Sequence, residues 1–318
     1  MDGKVTIEEH FALPETLGPG APELHRRLAD FHGERIELMD RCGVAFAILS
    51  LNGPAVQAER ETSKAIDMAR RANDLLAEKI DKRPDRLGGF AALPMQDPEA
   101  AIRELDRAVA ELGLLGANVN GFSESVGPTP QLYYDLPEYR TFWAAIEKME
   151  VPFYLHPRNP FFDDMPFFHG HPWLTFAPWA YALETAMHAL RLMCGGLFDD
   201  CPRLQMVLGH LGERIPFDLW RADNCLQKNP KGMPAKKTLR TYMQTNVHVS
   251  TSGQFHDPPL HLAIREMGVE RVLFSIDYPY ESMEQGASWF NQAELSEAER
   301  LAIGRTNAVS LFGLELDL

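Results

Sequence analysis

The chain has only four cysteines, Cys42, Cys194, Cys201 and Cys225, and none stands in a Cys-x-x-Cys spacing. Neither a zinc-finger frame nor a disulfide scaffold is indicated, and reduced thiols in a cytoplasmic compartment are expected. Long apolar runs are missing as well: no stretch approaches the roughly 18 residues that span a bilayer. The first ten residues lack the basic start and apolar run of a signal peptide. Positive charge is scarce, 31 Lys and Arg against 45 Asp and Glu, a formal charge of −14 over 318 residues. Basic runs do not exceed a pair such as Lys236-Lys237, which argues against nucleic acid and anionic membrane surfaces as partners. There is no Gly-rich phosphate loop between a strand and a helix. Ser250 and Ser252 lack the flanking glycines of a nucleophile elbow.

What the chain does have is a succession of short apolar runs alternating with helical periodicity. Strands are expected at Lys4–Glu8, Val44–Leu51, Leu87–Leu93, Gly113–Asn120, Val151–Leu155, Leu204–Leu208, Asn246–Ser250 and Val272–Ile276. Helical stretches intervene, among them Glu23–Cys42 closed by Gly43, Arg60–Arg83 stopped by Pro84, and Pro98–Leu112 capped by Asp97. A closing helix is expected over Leu295–Phe312. Eight strands with crossovers of this length fit a single-domain α/β (β/α)8 TIM barrel over residues 1–318. The segment from Phe161 to Trp179, rich in aromatics, Pro, His and Gly, reads as a long insertion over the mouth after strand five.

The strand ends carry the chemistry-bearing residues. Glu8 and His10, two apart, project together from strand one while Glu9 points away. His156 ends strand five, His210 follows strand six, and Asp277 follows strand eight just before Tyr278-Pro279. In a barrel these ends converge on one mouth. Glu8, His10, His156 and Asp277 make a mixed N/O donor set for Zn²⁺ or Mn²⁺, with His210 either a fifth ligand or an acid/base. Each has a plainer reading: Asp277 as a turn opener, Glu8 as a surface acid, the histidines as hydrogen-bonded structural residues. Their coincidence at strand ends favours the metal. Glu213, three residues past His210, either orients that imidazole or sits at a helix N-terminus favoured by the dipole. Asn120 is a turn former or a substrate contact. Arg158 and Arg221 are the cations nearest the motif stretches, and an Arg on a helix such as that of Arg221 is commonly solvated or paired.

Five segments, Ile7–Phe11, Val151–Pro160, Gly209–Glu213, Val249–Gly253 and Phe274–Pro279, resemble the amidohydrolase superfamily, and within it the branch of non-oxidative aromatic acid decarboxylases. The likeness also covers residues 51–58, 133–140 and 170–174, and the Glu-x-His opening at Glu8 and His10 resembles that branch in particular. The resemblance implies one Mn²⁺ or Zn²⁺ on Glu8, His10, His156 and Asp277, a catalytic His210–Glu213 pair beside Asp277, and Asn120, Arg221 and Ala55 lining the substrate. No organic cofactor is implied. It further implies a homo-oligomer, tetramer or dimer, acting on a small aromatic carboxylate: 2,6-dihydroxybenzoate (γ-resorcylate), cleaved reversibly to resorcinol and CO2, or another acid such as 2,3-dihydroxybenzoate or salicylate. A protonated Asp277 would deliver its proton to the carboxyl-bearing carbon, so crowding with Glu8 and burial are expected to raise its pKa against the metal's pull. A shorter Glu15–Leu24 loop, Gly53 and Ile276 depart from the branch's pattern and bear on ring substitution. Two other classes share these residues: a metal-dependent hydrolase of a lactone or amide, with Asp277 deprotonating water, and a non-catalytic barrel that binds a small acid.

Overall fold

The computed structural model describes residues 1–18, 20–162 and 165–316. Pro19 of the Gly18–Pro22 loop, Asp163 and Asp164 of the insertion and the last two residues of the expected domain lie outside the described residues. Eight parallel strands are present: β1 (Lys4–Phe11), β2 (Val44–Leu51), β3 (Leu87–Gly89), β4 (Ala117–Asn120), β5 (Phe153–His156), β6 (Met206–Leu208), β7 (Val247–Ser250) and β8 (Val272–Leu273). They hydrogen-bond in sequence order as a three-stranded and a five-stranded group. Parallel bridges Ala91↔Ala117 and Glu9↔Tyr278 join the two groups at both edges. Asn118 N donates to Ala91 O at 3.0 Å, and His10 N donates to Tyr278 O at 2.7 Å. The eight strands thus follow one another around a ring, as the alternating pattern predicts, leaving no long edge without a partner.

Strand lengths differ from the expectation, because apolar continuity marks burial rather than ladder pairing. The eighth strand keeps ladder geometry only over Val272–Leu273, although Phe274 and Ile276 are fully buried. The expected helix over Glu23–Cys42 is two helices, Pro22–Leu28 and Glu34–Cys42. The Asp30 carboxylate accepts from Gly33 N and Arg35 N, both at 2.8 Å, and so caps the second helix across the break. Gly43 ends it in the left-handed conformation at φ 64°. The closing helix begins at Glu297, behind a Ser296/Glu299 capping box, and runs to Phe312 through a π turn over Ala302–Thr306. Among the described residues no helix is long and apolar enough to cross a membrane.

Two apolar layers hold the ring. One fills the space between strands and helices. The other, built on Val5, Ile7, Phe46, Ile48, Tyr154, Val207 and Leu273 with Phe312 packed on it, fills the barrel. Strict alternation along β1 would oppose Glu8 to Ile7. The ladder between β1 and β2 is irregular between Thr6 and Glu9, and the parity changes there. Val5, Ile7, Glu8 and His10 therefore all reach the barrel interior, apolar below and polar at the mouth.

Candidate active site

Glu8, His10, His156 and Asp277 offer ligand atoms that all lie within 4.8 Å of one another. Three of the four are buried, and the Asp277 side chain keeps 16 % exposure. The donors face one another as a metal would require. His156 Nδ1 donates to Pro157 O at 3.1 Å, since a carbonyl can only accept, and this leaves the lone pair of Nε2 towards Glu8 Oε1 at 3.4 Å. His10 Nδ1 meets Ser50 Oγ at 3.1 Å, turning Nε2 to the centre. There Nε2 lies 3.0 Å from Asp277 Oδ1 without the alignment of a hydrogen bond. Glu8 Oε1 and His10 Nε2 are buried and have no hydrogen-bond partner. Buried polar atoms without partners are costly, so two of them converging on carboxylate and imidazole neighbours fit a divalent cation.

His210 stands above this group. Its Nε2 is 3.7 Å from Asp277 Oδ2 and 4.0 Å from Glu8 Oε1, while its Nδ1 donates to Glu213 Oε1 at 2.7 Å. The local backbone makes this possible. From His210 to Arg214 five consecutive residues have positive φ, between 51° and 83°. A left-handed turn of this length costs on the order of 1 kcal/mol per non-glycine residue. It also corrects the alternative reading of Glu213 as an ordinary helix N-terminal acid, because the next right-handed helix starts at Ile215.

Electrostatics within the group oppose the expectation for Asp277. Burial alone would raise its carboxyl, but contacts with His10 and His210 outweigh it and hold the pKa below the ordinary carboxylate value. Glu8, fully buried, is likewise held low by His210, His156 and His10 against its desolvation. His210 is driven well above the usual imidazole value: burial pulls it down, and Glu213, Glu8 and Asp277 together push it up. Among these side chains alone the charges favour a proton on His210 over one on Asp277, whose Oδ2 lies beside it.

Asn120, paired in register with His156 across β4 and β5, is buried, and its Oδ1 has no partner. Its amide occupies space left by Gly53, where a Cβ would lie 2.8 Å from Asn120 Oδ1. Ala55 follows in the turn after β2 at φ 37°. Ile276 faces the core: a Cβ on Gly286 would meet Ile276 Cδ1 at 2.6 Å. Arg221 is exposed on the helix Ile215–Lys228 and is not drawn into the group. Arg158 is buried, its Nη2 donating to Glu124 Oε1 and its Nη1 to Phe122 O, both at 2.7 Å. The insertion reaches the mouth. A cavity of about 140 Å³ is lined by Ala177, Pro178 and Tyr181 together with His210, Glu213 and Asp277, and Trp179 stacks on the Arg214 guanidinium at 3.3 Å. Tyr280 stands edge-on to the His10 ring at 5.5 Å.

Sequence reasoning missed two partners of Glu8. Both Tyr154 Oη and Ser250 Oγ donate to Glu8 Oε2, the latter at 2.8 Å. Tyr154 stands two residues before His156 on the same strand face, a spacing that could have marked it. Ser250 is the last residue of β7, where only the tertiary approach identifies it.

The amidohydrolase family profile matches residues 7–314. A γ-resorcylate decarboxylase of Rhodococcus jostii is 54% identical over 329 aligned residues, covering 99% of this chain and 100% of the relative. A solved 2,6-dihydroxybenzoate decarboxylase in complex with 2,6-dihydroxybenzoate is 53% identical, with a TM-score of 0.96 over 99% of this chain and 100% of the other. A dihydroxybenzoic acid decarboxylase of Polaromonas sp. JS666, solved with bound manganese and the inhibitor 2-nitroresorcinol, is 49% identical with a TM-score of 0.96, covering 98% of this chain and 97% of that one. Built on the same ring of strands and matched almost end to end, this chain belongs to the amidohydrolase family.

Proposed function

We propose that the chain is a metal-dependent, non-oxidative carboxy-lyase that converts 2,6-dihydroxybenzoate to resorcinol and CO2, reversibly. The observation that carries this reading is the convergence of Glu8 Oε1 and His10 Nε2, buried and unpartnered, on His156 and Asp277 beside the His210–Asp277 pair. Near-complete coverage by relatives with that activity supports it. A divalent cation, Mn²⁺ or Zn²⁺, held by Glu8, His10, His156 and Asp277 supplies positive charge that binds and polarises an acid bearing an ortho hydroxyl. No organic cofactor is required.

The chain's own residues manage the proton. Asp277 Oδ1 faces His10 and Oδ2 faces His210, so the two oxygens of one carboxylate serve different tasks. His210 Nε2 holds the proton at rest and passes it to Oδ2, which delivers it to the carboxyl-bearing ring carbon. As the C–C bond breaks, its electron pair restores the aromatic ring and CO2 leaves. One proton is consumed per turnover, and His210, steadied by Glu213, is the group that takes up the next. Asn120, in register with His156, and Ala55, two residues after Gly53, are assigned to the substrate ring, and Ala177 and Pro178 of the insertion to a wall that limits water at the mouth.

We further infer a homo-oligomer, tetramer or dimer. The helix that bears Arg221 exposes Phe217 and Trp220 at 77 % and 68 %, an unusual surface for an isolated chain. Arg221 is assigned to substrate binding only within that assembly. Four free cysteines support a reducing, cytoplasmic location.

The deciding experiment follows 2,6-dihydroxybenzoate with metal-analysed, Mn²⁺-reconstituted protein and identifies both products. Stoichiometric resorcinol and CO2, halted by chelation and restored by Mn²⁺, are expected. Turnover only of 2,3-dihydroxybenzoate or salicylate would keep the chemistry and change the substrate. Lactone or amide hydrolysis without CO2 release would overturn the reading.

A further inference from the structure

Glu9 is the one acid of the Glu8-Glu9-His10 run that the chemistry above does not use. It points away from the metal group, towards the layer between strands and helices, where a carboxyl group is out of place. Yet it is fully buried, beside the equally buried guanidinium of Arg35. A buried carboxyl group persists only where its oxygens are occupied.

Its oxygens are occupied in a particular way. Oε1 accepts from Ile276 N and from Ser275 Oγ, both at 3.2 Å, and Oε2 accepts from Tyr278 N at 2.9 Å. Those amides are the two that flank Asp277. The amide of Asp277 itself donates to Glu8 O at 2.9 Å, so three consecutive N–H groups of the chain after β8 are tied to two consecutive residues of β1. Regular ladder pairing is absent here: the two strands share only the Glu9↔Tyr278 bridge. Ser275 Oγ makes up the neighbouring rungs by accepting from Ile7 N at 3.0 Å and Glu8 N at 2.7 Å. The held segment is strained, for Asp277 has φ 81°, a conformation that L side chains rarely adopt. Behind it Arg35, also fully buried, donates from Nη2 to His10 O at 2.6 Å and lies over the Tyr278 ring at 4.9 Å.

We propose that Glu9 is a positioning residue, a carboxylate clamp on the peptide groups either side of Asp277 that fixes the direction in which the Asp277 carboxylate meets His10, His210 and the metal. This rests on the reading that Glu8, His10, His156 and Asp277 hold a divalent cation. Without the clamp, the positive-φ turn relaxes and Asp277 swings from its place, while Glu8, His10 and His156 stay on their own strands.

The test is Mn²⁺ binding by the full chain, without substrate, for wild type, Glu9→Gln and a control, Asn73→Ala. The Asn73 side chain bonds Ala92 N at 2.8 Å and Glu104 Oε1 at 2.8 Å, a buried network built on other residues. Glutamine keeps the shape of Glu9 but turns one of its two acceptors into a donor facing an N–H. Weakening of Mn²⁺ binding by roughly 10- to 100-fold in Glu9→Gln, with an altered electron paramagnetic resonance spectrum of the bound ion, is expected. Asn73→Ala is expected to lower the melting temperature and leave both unchanged. If Glu9→Gln does not fold, Ser275→Ala takes its place, with Mn²⁺ binding weakened several-fold. Wild-type affinity and spectrum in the folded variant overturn the clamp. A wild-type chain that binds no Mn²⁺ or Zn²⁺ overturns the metal reading first, and the clamp with it.

Discussion

His210 Nε2 stands 3.7 Å from Asp277 Oδ2, and Glu213 holds the other face of the same imidazole at 2.7 Å. In the proposed function the line Glu213, His210, Asp277 carries the proton to an oxygen of Asp277. Asp277→Asn keeps a potential ligand oxygen and removes the acid. Decarboxylation of 2,6-dihydroxybenzoate is expected to fall by roughly 10²- to 10⁴-fold, with metal content measured on the same sample. Activity within tenfold of wild type at full metal content would falsify the assignment of Asp277 as proton donor.

Glu213→Gln tests the other end of that line. Glutamine still accepts from His210 Nδ1 but carries no charge. Loss of a charged hydrogen bond is worth about 1.5–3 kcal/mol, which corresponds to roughly 10- to 150-fold in kcat. Mn²⁺ affinity should hardly change, because Glu213 touches His210 rather than the four proposed ligands. Metal titration and steady-state kinetics on one preparation separate the two effects.

Gly53→Ala puts a methyl group 2.8 Å from Asn120 Oδ1. The amide must turn away, and any bond it makes to the substrate's ring hydroxyl is lost. One such bond contributes about 0.5–1.5 kcal/mol, so KM should rise roughly 2- to 12-fold with little change in kcat. Equal KM values would remove Asn120 from the substrate site.

Acid sensitivity has a separate, remote source in His248. Burial, helped by the Arg271 charge, pulls its pKa down to about 3, and Arg271 Nη1 lies 3.0 Å from its Nε2. The folded state therefore disfavours the charged imidazole. The contribution is fully present above the unfolded pKa near 6.5 and is lost as pH falls from there towards 3. Against His248→Gln, which cannot titrate, wild type should lose stability at up to ~1.4 kcal/mol per pH unit across that window. Denaturant unfolding of both proteins at pH 7 and pH 5 checks it, and parallel losses would contradict it.

Local periodicity determined a good deal. Alternating apolar runs and helical stretches were enough to count eight strands, and polar residues immediately after them were enough to name Glu8, His10, His156, His210 and Asp277, because a parallel barrel buries its strands and collects their ends. Tertiary structure decided the rest. The ladder irregularity that brings Ile7 and Glu8 to one face depends on pairing with β2. The left-handed run from His210 to Arg214 has one glycine in five residues and so carries little local signal. Whether Asp277 or His210 keeps the proton depends on a balance between desolvation and charges brought from four different strand ends, and Glu9 is buried because the chain after β8 supplies donors for it. Residue type and spacing specify which groups a strand end offers. Only the folded ring fixes the distances and solvent exclusion on which their charges depend.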